Sequence, residues 1–194
     1  MCLEKQKAIL RVAAQEKRCR TAQEISEKSA AQIADHLVSR FGSQSGCVVS
    51  GYIAIGSEID VLPALCELEA CNLRAVLPVV VGEGRPLIFR RWEQDLKLEP
   101  GPLRTRHPSA SSLEMKPDLL IIPLLAFDAE GFRIGWGGGF YDRTLSKLRA
   151  EKSVTAVGAA FSSQQVDKVP REDHDVRLDW VVTEAGLTQF KSVR

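Results

Sequence analysis

The chain has 194 residues, of which 44% are apolar and 26% are charged, and its formal net charge is +1. This balance is typical of an ordinary water-soluble domain, and the net charge predicts neither long-range attraction to nucleic acid nor binding to a membrane surface. No apolar run is long enough to span a bilayer, and the N-terminus lacks the apolar core of a signal peptide, so we predict a cytoplasmic protein.

The first forty residues are polar, rich in alanine and free of glycine and proline, which favours helix. Thr21 followed by Glu24 is a capping-box signature, and it predicts that a second helix begins there. We therefore expect two helices, at about residues 4–20 and 22–41, ahead of the glycine- and serine-rich break at 42–46.

Apolar runs and helical segments alternate through the rest of the chain. The predicted strands are 47–55, 73–81, 87–92, 119–123, 155–161 and, as the last, 180–183; the predicted helices are 61–71 and 141–149, and 99–116 is a long connection. This alternation predicts one α/β domain over residues 1–194, with a mainly parallel sheet and helices on both faces.

Metal or disulfide chemistry based on cysteine and histidine has little support in the sequence. The five cysteines are an odd set without CxxC spacing, and the three histidines are far apart and outside any HExxH motif. The sequence therefore predicts neither a disulfide framework nor a zinc site.

The stretch from 135 to 139 is Gly-Trp-Gly-Gly-Gly, and it lies between the apolar run 119–123 and the predicted helix. Glycine-rich turns of this kind bind phosphate through bare backbone N–H groups. The stretch is neither a P-loop nor a dinucleotide fingerprint, because Phe140 stands where the latter needs glycine. The alternative is a tight turn with no ligand.

Two aspartates near this loop point to magnesium. Asp142 would lie in the first helical turn, where the helix dipole alone favours a carboxylate. Beside a bound phosphate, however, a carboxylate is tolerated when a cation lies between them, and Mg²⁺ takes carboxylates together with phosphate oxygens. Asp175 precedes the last predicted strand and is a candidate second carboxylate.

The first helix carries a basic stripe. Lys7, Arg11 and Arg18 lie within about 40° of one another on a helical wheel, with apolar residues roughly opposite. An anion facing that stripe would offset the repulsion between the like charges. A solvated basic face is the alternative.

These features occur together in one known family. The matching segments are 7–11, Tyr52–Asp60 with its Gly-Ser-Glu-Ile-Asp run, 77–78, 122–128, 133–142, 160–161, Gln164, 169–170 and 174–175. Together they resemble the 5-formyltetrahydrofolate cyclo-ligase family, also called methenyltetrahydrofolate synthetase. The resemblance covers nearly the whole chain, and the run 133–142 is its most specific part.

The resemblance implies a three-layer α/β/α fold similar to the sugar-phosphate isomerase/CoA-transferase-like scaffold. It also implies that ATP phosphorylates the formyl oxygen of 5-formyltetrahydrofolate in a magnesium-dependent reaction. Attack by N10 and loss of phosphate then give 5,10-methenyltetrahydrofolate and ADP.

The same resemblance assigns roles to residues of this chain. The catalytic candidates are Glu58, Tyr141 and Arg133, and the magnesium ligands are Asp142 and Asp175. The substrate-binding candidates are Ile53, Glu58 and Phe140. The candidates for binding ATP or folate are Lys7, Arg11, Arg133, Gly135, Trp136, Gly137, Gly138, Gly139, Phe140 and Tyr141.

This chain departs from the family pattern at a few positions. Trp136 replaces a residue that is commonly Arg, Lys or Met, so its contribution would be stacking or shape. Phe140 stands where tyrosine is frequent, and Arg106-His107-Pro108 stands where Glu-Pro is frequent.

We expect a monomer that acts on a small-molecule folate, possibly polyglutamated, with no nucleic-acid or membrane partner.

Two alternatives stay open from the sequence. One is a non-catalytic regulator that binds nucleotide or folate on the same scaffold, although such a protein would not need Glu58, Asp142 and Asp175 together. The other is an enzyme of the related isomerase or CoA-transferase type, which has no use for the basic stripe.

Overall fold

The computed structural model describes residues 2–191, so Met1 and residues 192–194 of the predicted domain lie outside the described part. The helices are α1 (Leu3–Phe41), α2 (Leu62–Ala70) and α3 (Phe140–Glu151). The strands are β1 (Val48–Ser50), β2 (Arg74–Val79), β3 (Ile88–Arg91), β4 (Glu99–Pro100), β5 (Arg106–His107), β6 (Leu119–Pro123), β7 (Ala126–Phe127), β8 (Arg133–Ile134), β9 (Thr155–Ala159), β10 (Trp180–Thr183) and β11 (Gly186–Gln189).

Within the described residues, a seven-stranded sheet has the order β11-β10-β9-β6-β1-β2-β3. Its inner strands run parallel, while β3 and β11 pair antiparallel at the two edges. The prediction of a mainly parallel sheet is therefore confirmed.

The core has two parts, one on each face of the sheet, because successive side chains of a strand point to opposite faces. In β6, Leu119 and Ile121 face α1 and α2, whereas Leu120 and Ile122 face α3. All four side chains are buried, as the continuous apolar run of a parallel strand covered on both faces predicts. The structure thus has helices on both faces.

The prediction of two N-terminal helices is wrong, because α1 continues without a break through Thr21. The Thr21 hydroxyl donates to the carbonyl of Lys17, one turn back, at 3.1 Å, and it lies 2.8 Å from the Ser163 hydroxyl. Threonine can satisfy its hydroxyl inside a helix in this way, so the capping-box residues begin no new helix.

Three further differences from the sequence expectations concern short antiparallel pairs. Strand β10 is not the last, because β11 follows it after a tight turn and pairs back onto it. The glycine loop follows β8, the second strand of a small β7–β8 hairpin, rather than β6 directly. The predicted connection 99–116 contains the β4–β5 hairpin.

Strand order places a binding crevice beside β1 and β6. From β1 the chain proceeds to β2 and β3 on one side, and from β6 it proceeds to β9 and β10 on the other. The loops after β1 and β6 therefore leave in opposite directions, and ligands of open α/β sheets bind at such a switch point. No helix within residues 2–191 is long and apolar enough to cross a membrane.

Candidate active site

The glycine loop, residues 135–139, joins β8 to α3 at this edge of the sheet. Gly137 and Gly139 have φ angles of 96° and 63°, a region that residues with a side chain rarely adopt. No acceptor within residues 2–191 bonds the backbone N–H groups of Gly137, Gly138 or Gly139. The loop therefore has the donors that an anion site requires.

The basic stripe of α1 faces inward, toward this loop and its neighbours. Lys7 and Arg18 are buried, while Ile9 and Val12 on the other side of the helix are about 60% exposed. Arg11 is half-buried and donates from Nε to the carbonyl oxygen of Gly135 at 3.0 Å. The charged face of this helix is thus its packed face, which is the reverse of a usual surface helix.

Lys7 is already paired with two carboxylates. The sequence interpretation had instead placed it on a basic stripe that would face a bound anion. Its Nζ lies 2.8 Å from Oε2 of Glu172 and 2.7 Å from Oδ2 of Asp175. Burial acts to lower the pKa of Lys7, but the bonds to Asp175 and Glu172 outweigh it and the pKa is raised. Burial acts to raise the pKa of Asp175, and the bonds from Lys7 and from the Glu172 N–H lower it.

Glu58 is the buried carboxylate of the site, and it lies in the loop after β1. Its Oε2 accepts the backbone N–H of Ile55 at 2.9 Å, and its Oε1 accepts the indole N–H of Trp136 at 3.2 Å. Arg18 Nη1 lies 3.6 Å from Oε1. The contact with Trp136 connects the loop after β1 to the glycine loop.

Arg18 links three parts of the site, whereas the sequence places it only on the basic stripe. Its Nε donates to the Ser57 hydroxyl at 3.0 Å, its Nη1 donates to the carbonyl oxygen of Leu124 at 3.1 Å, and its guanidinium lies 5.4 Å from the centre of the Trp136 ring. Burial lowers the pKa of Arg18, and the negative charge of Glu58 opposes that shift. An arginine stays protonated in this setting, so it balances the charge of Glu58.

Asp142 and Arg133 form an ion pair at the start of α3. Arg133 Nη2 lies 2.8 Å from Oδ1 of Asp142, and the backbone N–H of Val176 donates to the same oxygen at 3.1 Å. Arg133 Nη1 also donates to the carbonyl oxygen of Val176. Since Val176 follows Asp175, the two candidate metal carboxylates lie beside one segment of chain.

The donor set fits magnesium better than a metal held by protein alone. No group of three or more His, Cys, Asp or Glu residues within 2–191 is arranged to hold a metal ion. Each aspartate shares one oxygen with a cation, Oδ1 of Asp142 with Arg133 and Oδ2 of Asp175 with Lys7. The second oxygen of Asp142 is an available donor, while that of Asp175 lies 4.0 Å from Nε2 of His174, and Mg²⁺ needs only one or two carboxylates when phosphate and water complete its shell.

Tyrosines and apolar residues complete the surroundings of Glu58. Burial raises the pKa of Tyr141, and the charge of Glu58 raises it further, so this hydroxyl is a hydrogen-bond donor rather than a base. Tyr52 is buried, its pKa is raised in the same way, and it donates to the carbonyl oxygen of Ile59 at 3.0 Å. Phe140 and Ile53 are half-buried and pack against the two cores.

Gln164 supports the site and was named in the sequence only as part of a matching segment. It is buried, and its amide nitrogen donates to the carbonyl oxygens of Leu124 and Leu125, both at 2.9 Å. Its amide oxygen accepts the backbone N–H of Phe161 at 2.7 Å. The bond from Phe161 is a local contact three residues away, but Leu124 and Leu125 lie 40 and 39 residues away, so no local pattern could have identified those two partners.

The site thus lies at the switch point of an α/β sheet, where a glycine loop with backbone N–H groups left unbonded within residues 2–191 is connected through Trp136 to the buried carboxylate of Glu58. The chain belongs to the 5-formyltetrahydrofolate cyclo-ligase family, whose model matches residues 3–184. It is 34% identical over 148 residues to the 5-formyltetrahydrofolate cyclo-ligase of Escherichia coli K12, which is 73% of this chain and 80% of that relative.

Other relatives agree in sequence and in fold. The 5-formyltetrahydrofolate cyclo-ligase of Haemophilus influenzae is 32% identical over 158 residues, covering 79% of this chain and 82% of that protein. The solved structure of the 5,10-methenyltetrahydrofolate synthetase of Aquifex aeolicus superposes with a TM-score of 0.79 at 27% identity, covering 97% of this chain and 94% of that one.

Proposed function

We propose that this protein converts 5-formyltetrahydrofolate into 5,10-methenyltetrahydrofolate, with transfer of the γ-phosphoryl group of ATP to the substrate, release of ADP and phosphate, and a requirement for Mg²⁺. Family membership supports the conversion. The observation that carries it is the 3.2 Å contact between Trp136 and Glu58. It brings a buried carboxylate suited to folate nitrogens next to a loop suited to phosphate, so that one crevice accommodates both substrates.

The reaction that we propose proceeds in two steps. The formyl oxygen attacks the γ-phosphorus of ATP, the bond to the β–γ bridging oxygen breaks, and ADP leaves. The folate N10 then attacks the activated formyl carbon, the carbon–oxygen bond breaks with loss of phosphate, and N10 gives up its proton. Phosphorylation makes a poor leaving oxygen a good one, and such transfer depends on positioning and charge neutralisation.

The proposed roles of the residues follow from their contacts. Glu58 holds the folate near its reacting nitrogens, and Trp136 releases it as the folate binds. Tyr141 and Phe140 border the formyl group or the pterin, with Ile53 contributing to the substrate site. The N–H groups of Gly135, Trp136, Gly137, Gly138 and Gly139, together with Lys7, Arg11 and Arg133, bind the triphosphate.

Asp142 and Asp175 are the proposed magnesium ligands. When bound there, Mg²⁺ supplies positive charge to the phosphate oxygens. Arg133 and Lys7 hold the two carboxylates in place by engaging one oxygen of each. We further propose that the protein acts as a monomer in the cytoplasm and has no nucleic-acid or membrane partner.

The assay is incubation of the full chain with ATP, MgCl₂ and 5-formyltetrahydrofolate while methenyl absorbance is recorded. We expect absorbance to rise only when all three are present. Folded protein that binds ATP or folate without any rise would instead favour the non-catalytic regulator. That alternative is disfavoured because Glu58, Asp142 and Asp175 are all retained.

A paired substitution tests the metal assignment. Asp142→Asn keeps a side chain of the same shape but removes the charge, and we expect turnover to fall by roughly 100-fold or more, as for loss of a charge-stabilising group. Asp173→Ala, in the exposed acidic loop, is the matched control and should retain activity. Wild-type magnesium dependence in Asp142→Asn would remove Asp142 from the metal site.

A further inference from the structure

Five cations contact the glycine loop or the carboxylates around it, namely Lys7, Arg11, Arg18, Arg133 and Arg143. Three of them are paired with acidic side chains: Lys7 with Glu172 and Asp175, Arg18 with Glu58, and Arg133 with Asp142. Arg11 and Arg143 have no acidic partner within residues 2–191. Arg11 and Arg143 are therefore the two of these five cations whose charge is not already balanced by a carboxylate.

Arg143 lies in the first turn of α3, next to Asp142, and its guanidinium folds back over the glycine loop. Its Nη2 donates to the carbonyl oxygen of Gly138 at 2.5 Å, and its guanidinium lies 5.3 Å from the centre of the Phe140 ring. Its Nε is buried and has no hydrogen-bond partner, and it is the one such side-chain atom within the described residues. A buried donor without an acceptor is unfavourable, so an incoming acceptor is favoured there.

Two glycines of the loop each lie against one of these arginines, Gly139 against Arg143 and Gly137 against Arg11. A Cβ added at Gly139 would lie 2.6 Å from Nη1 of Arg143, and one added at Gly137 would lie 3.2 Å from Cζ of Arg11. Both glycines therefore leave room for a guanidinium as well as permitting the left-handed backbone. The carbonyls of Gly135 and Gly138 bind the two arginines, which leaves the loop N–H groups to a ligand.

We propose that Arg143 binds the terminal phosphates of the nucleotide, opposite Arg11 and over the glycine loop. A guanidinium presents five N–H donors in a planar fork that matches phosphate oxygens, and only the bond from Nη2 to Gly138 uses one of them in this structure. This assignment rests on the proposed function, because it takes ATP as the anion.

The test is equilibrium titration of the full-length protein with MgATP, MgADP and AMP in the absence of folate. We expect Arg143→Ala to weaken MgATP binding by at least 10-fold, MgADP less, and AMP little, because the lost cation faces the terminal phosphates. Lys147→Ala is the matched control, since this exposed lysine lies one turn further along α3 and should leave all three affinities unchanged.

Two more variants separate charge from loop shape. Arg143→Gln can still donate to the Gly138 carbonyl but carries no charge, whereas Arg143→Lys keeps the charge. We expect Lys to recover part of the MgATP affinity and Gln to recover none, and added salt to weaken binding less in Arg143→Gln than in wild type. Wild-type affinity in Arg143→Gln would overturn the proposal in favour of a purely structural contact.

The outcomes also separate this inference from the proposed function. Nucleotide binding that depends on Arg143 in a protein without methenyl formation would refute the function and support the inference. Methenyl formation by the wild type, together with an unchanged MgATP affinity in Arg143→Ala, would support the function and refute the inference. If wild type binds no MgATP, both are overturned. If Arg143→Ala fails to fold, Arg143→Gln takes its place as the variant without the charge.

Discussion

The two halves of α1 are joined without a break, yet they are attached to the molecule by opposite means. Residues 22–41 pack an apolar stripe against the sheet and α2, and Ile33, Ala34, Leu37 and Phe41 are at most 1% exposed. Residues 3–21 instead turn Lys7, Arg11 and Arg18 inward and leave Ile9 and Val12 outside. The second half is thus fixed to the core by apolar packing, whereas the first half is attached by charged contacts at the active site together with a small apolar cluster that includes Leu10 and Ala14.

This difference matters because apolar burial and ion pairing respond to different conditions. Burial of apolar area changes little with salt or with the charge of a ligand, whereas partly buried ion pairs depend on pH and on competing charges. We therefore expect substitutions in the second half to change stability alone. Substitutions of the inward-facing charged residues of the first half should change stability and catalysis together.

The largest effect is expected at Arg18, where the first half of α1 has its most buried charge. Arg18→Met should lower the free energy of unfolding by about 3–5 kcal/mol, because Glu58 would stay buried without its cation. Chemical denaturation measures this loss. Adding Glu58→Gln to the same chain should restore part of it, and a double variant no more stable than Arg18→Met would show that the two residues are not coupled.

A smaller loss of about 3 kcal/mol is expected for Leu37→Ala in the second half, because it leaves a cavity between α1 and the sheet. The KM values of the folded protein for ATP and folate should not change. Ile9→Ala in the first half is the control, with a change within about 0.5 kcal/mol because its side chain is exposed. A raised KM in Leu37→Ala would contradict the division of the helix.

Lys7→Met should loosen only the start of α1. Its two ion pairs are partly exposed, so we expect a loss of about 1 kcal/mol, seen as roughly fivefold faster hydrogen exchange of amides in residues 7–14. The apparent KM for ATP should rise more than that for folate. Lys5→Met, at an exposed neighbouring position, is the control and should leave both hydrogen exchange and KM unchanged. A rise in the KM for folate alone in Lys7→Met would mean that this part of α1 binds folate rather than ATP.

The smallest effect concerns pH. Asp175 has a lowered pKa, so its contribution is complete above the ordinary aspartate pKa of about 3.9 and is lost as pH falls through the lowered value. Lys7 has a raised pKa, so its contribution is complete below about 10.4 and is lost as pH rises through the raised value. Because His174 Nε2 lies 3.7 Å from Glu172 and 4.0 Å from Asp175, the comparison is made in a His174→Gln background. There the stability difference between Lys7 and Lys7→Met should be constant from about pH 5 to 9 and shrink outside that range. If the stability difference peaked at neutral pH and halved by pH 6, the ion pair between Lys7 and Asp175 would be excluded as its cause.

Continuous apolar patterns made much of the fold predictable. Strands β6 and β10 match their predicted bounds, since a run such as Leu119–Pro123 can be satisfied only by burial on both faces. Strand β11 was missed because half of its residues are exposed and it lacks that pattern. The break at Thr21 was predicted wrongly because a local signature was given more weight than the helix on both sides of it.

The residues of the site also differ in how far the sequence could predict them. The glycine loop, Glu58 and Asp142 could be selected from sequence as candidates, because each lies in a distinctive run of neighbouring residues. The ion-pair partners of Lys7 lie more than 160 positions away, and that of Arg18 lies 40 positions away. Such pairings follow from strand order, which no local pattern specifies.

The exposed indole of Trp136 also offers a fluorescence signal for folate binding. Of the three tryptophans, Trp92 is 3% exposed, whereas Trp136 is 55% exposed and donates to the carboxylate that is proposed to receive folate. Its emission should therefore shift when folate displaces that bond, so the unlabelled protein carries its own fluorescent reporter of substrate entry.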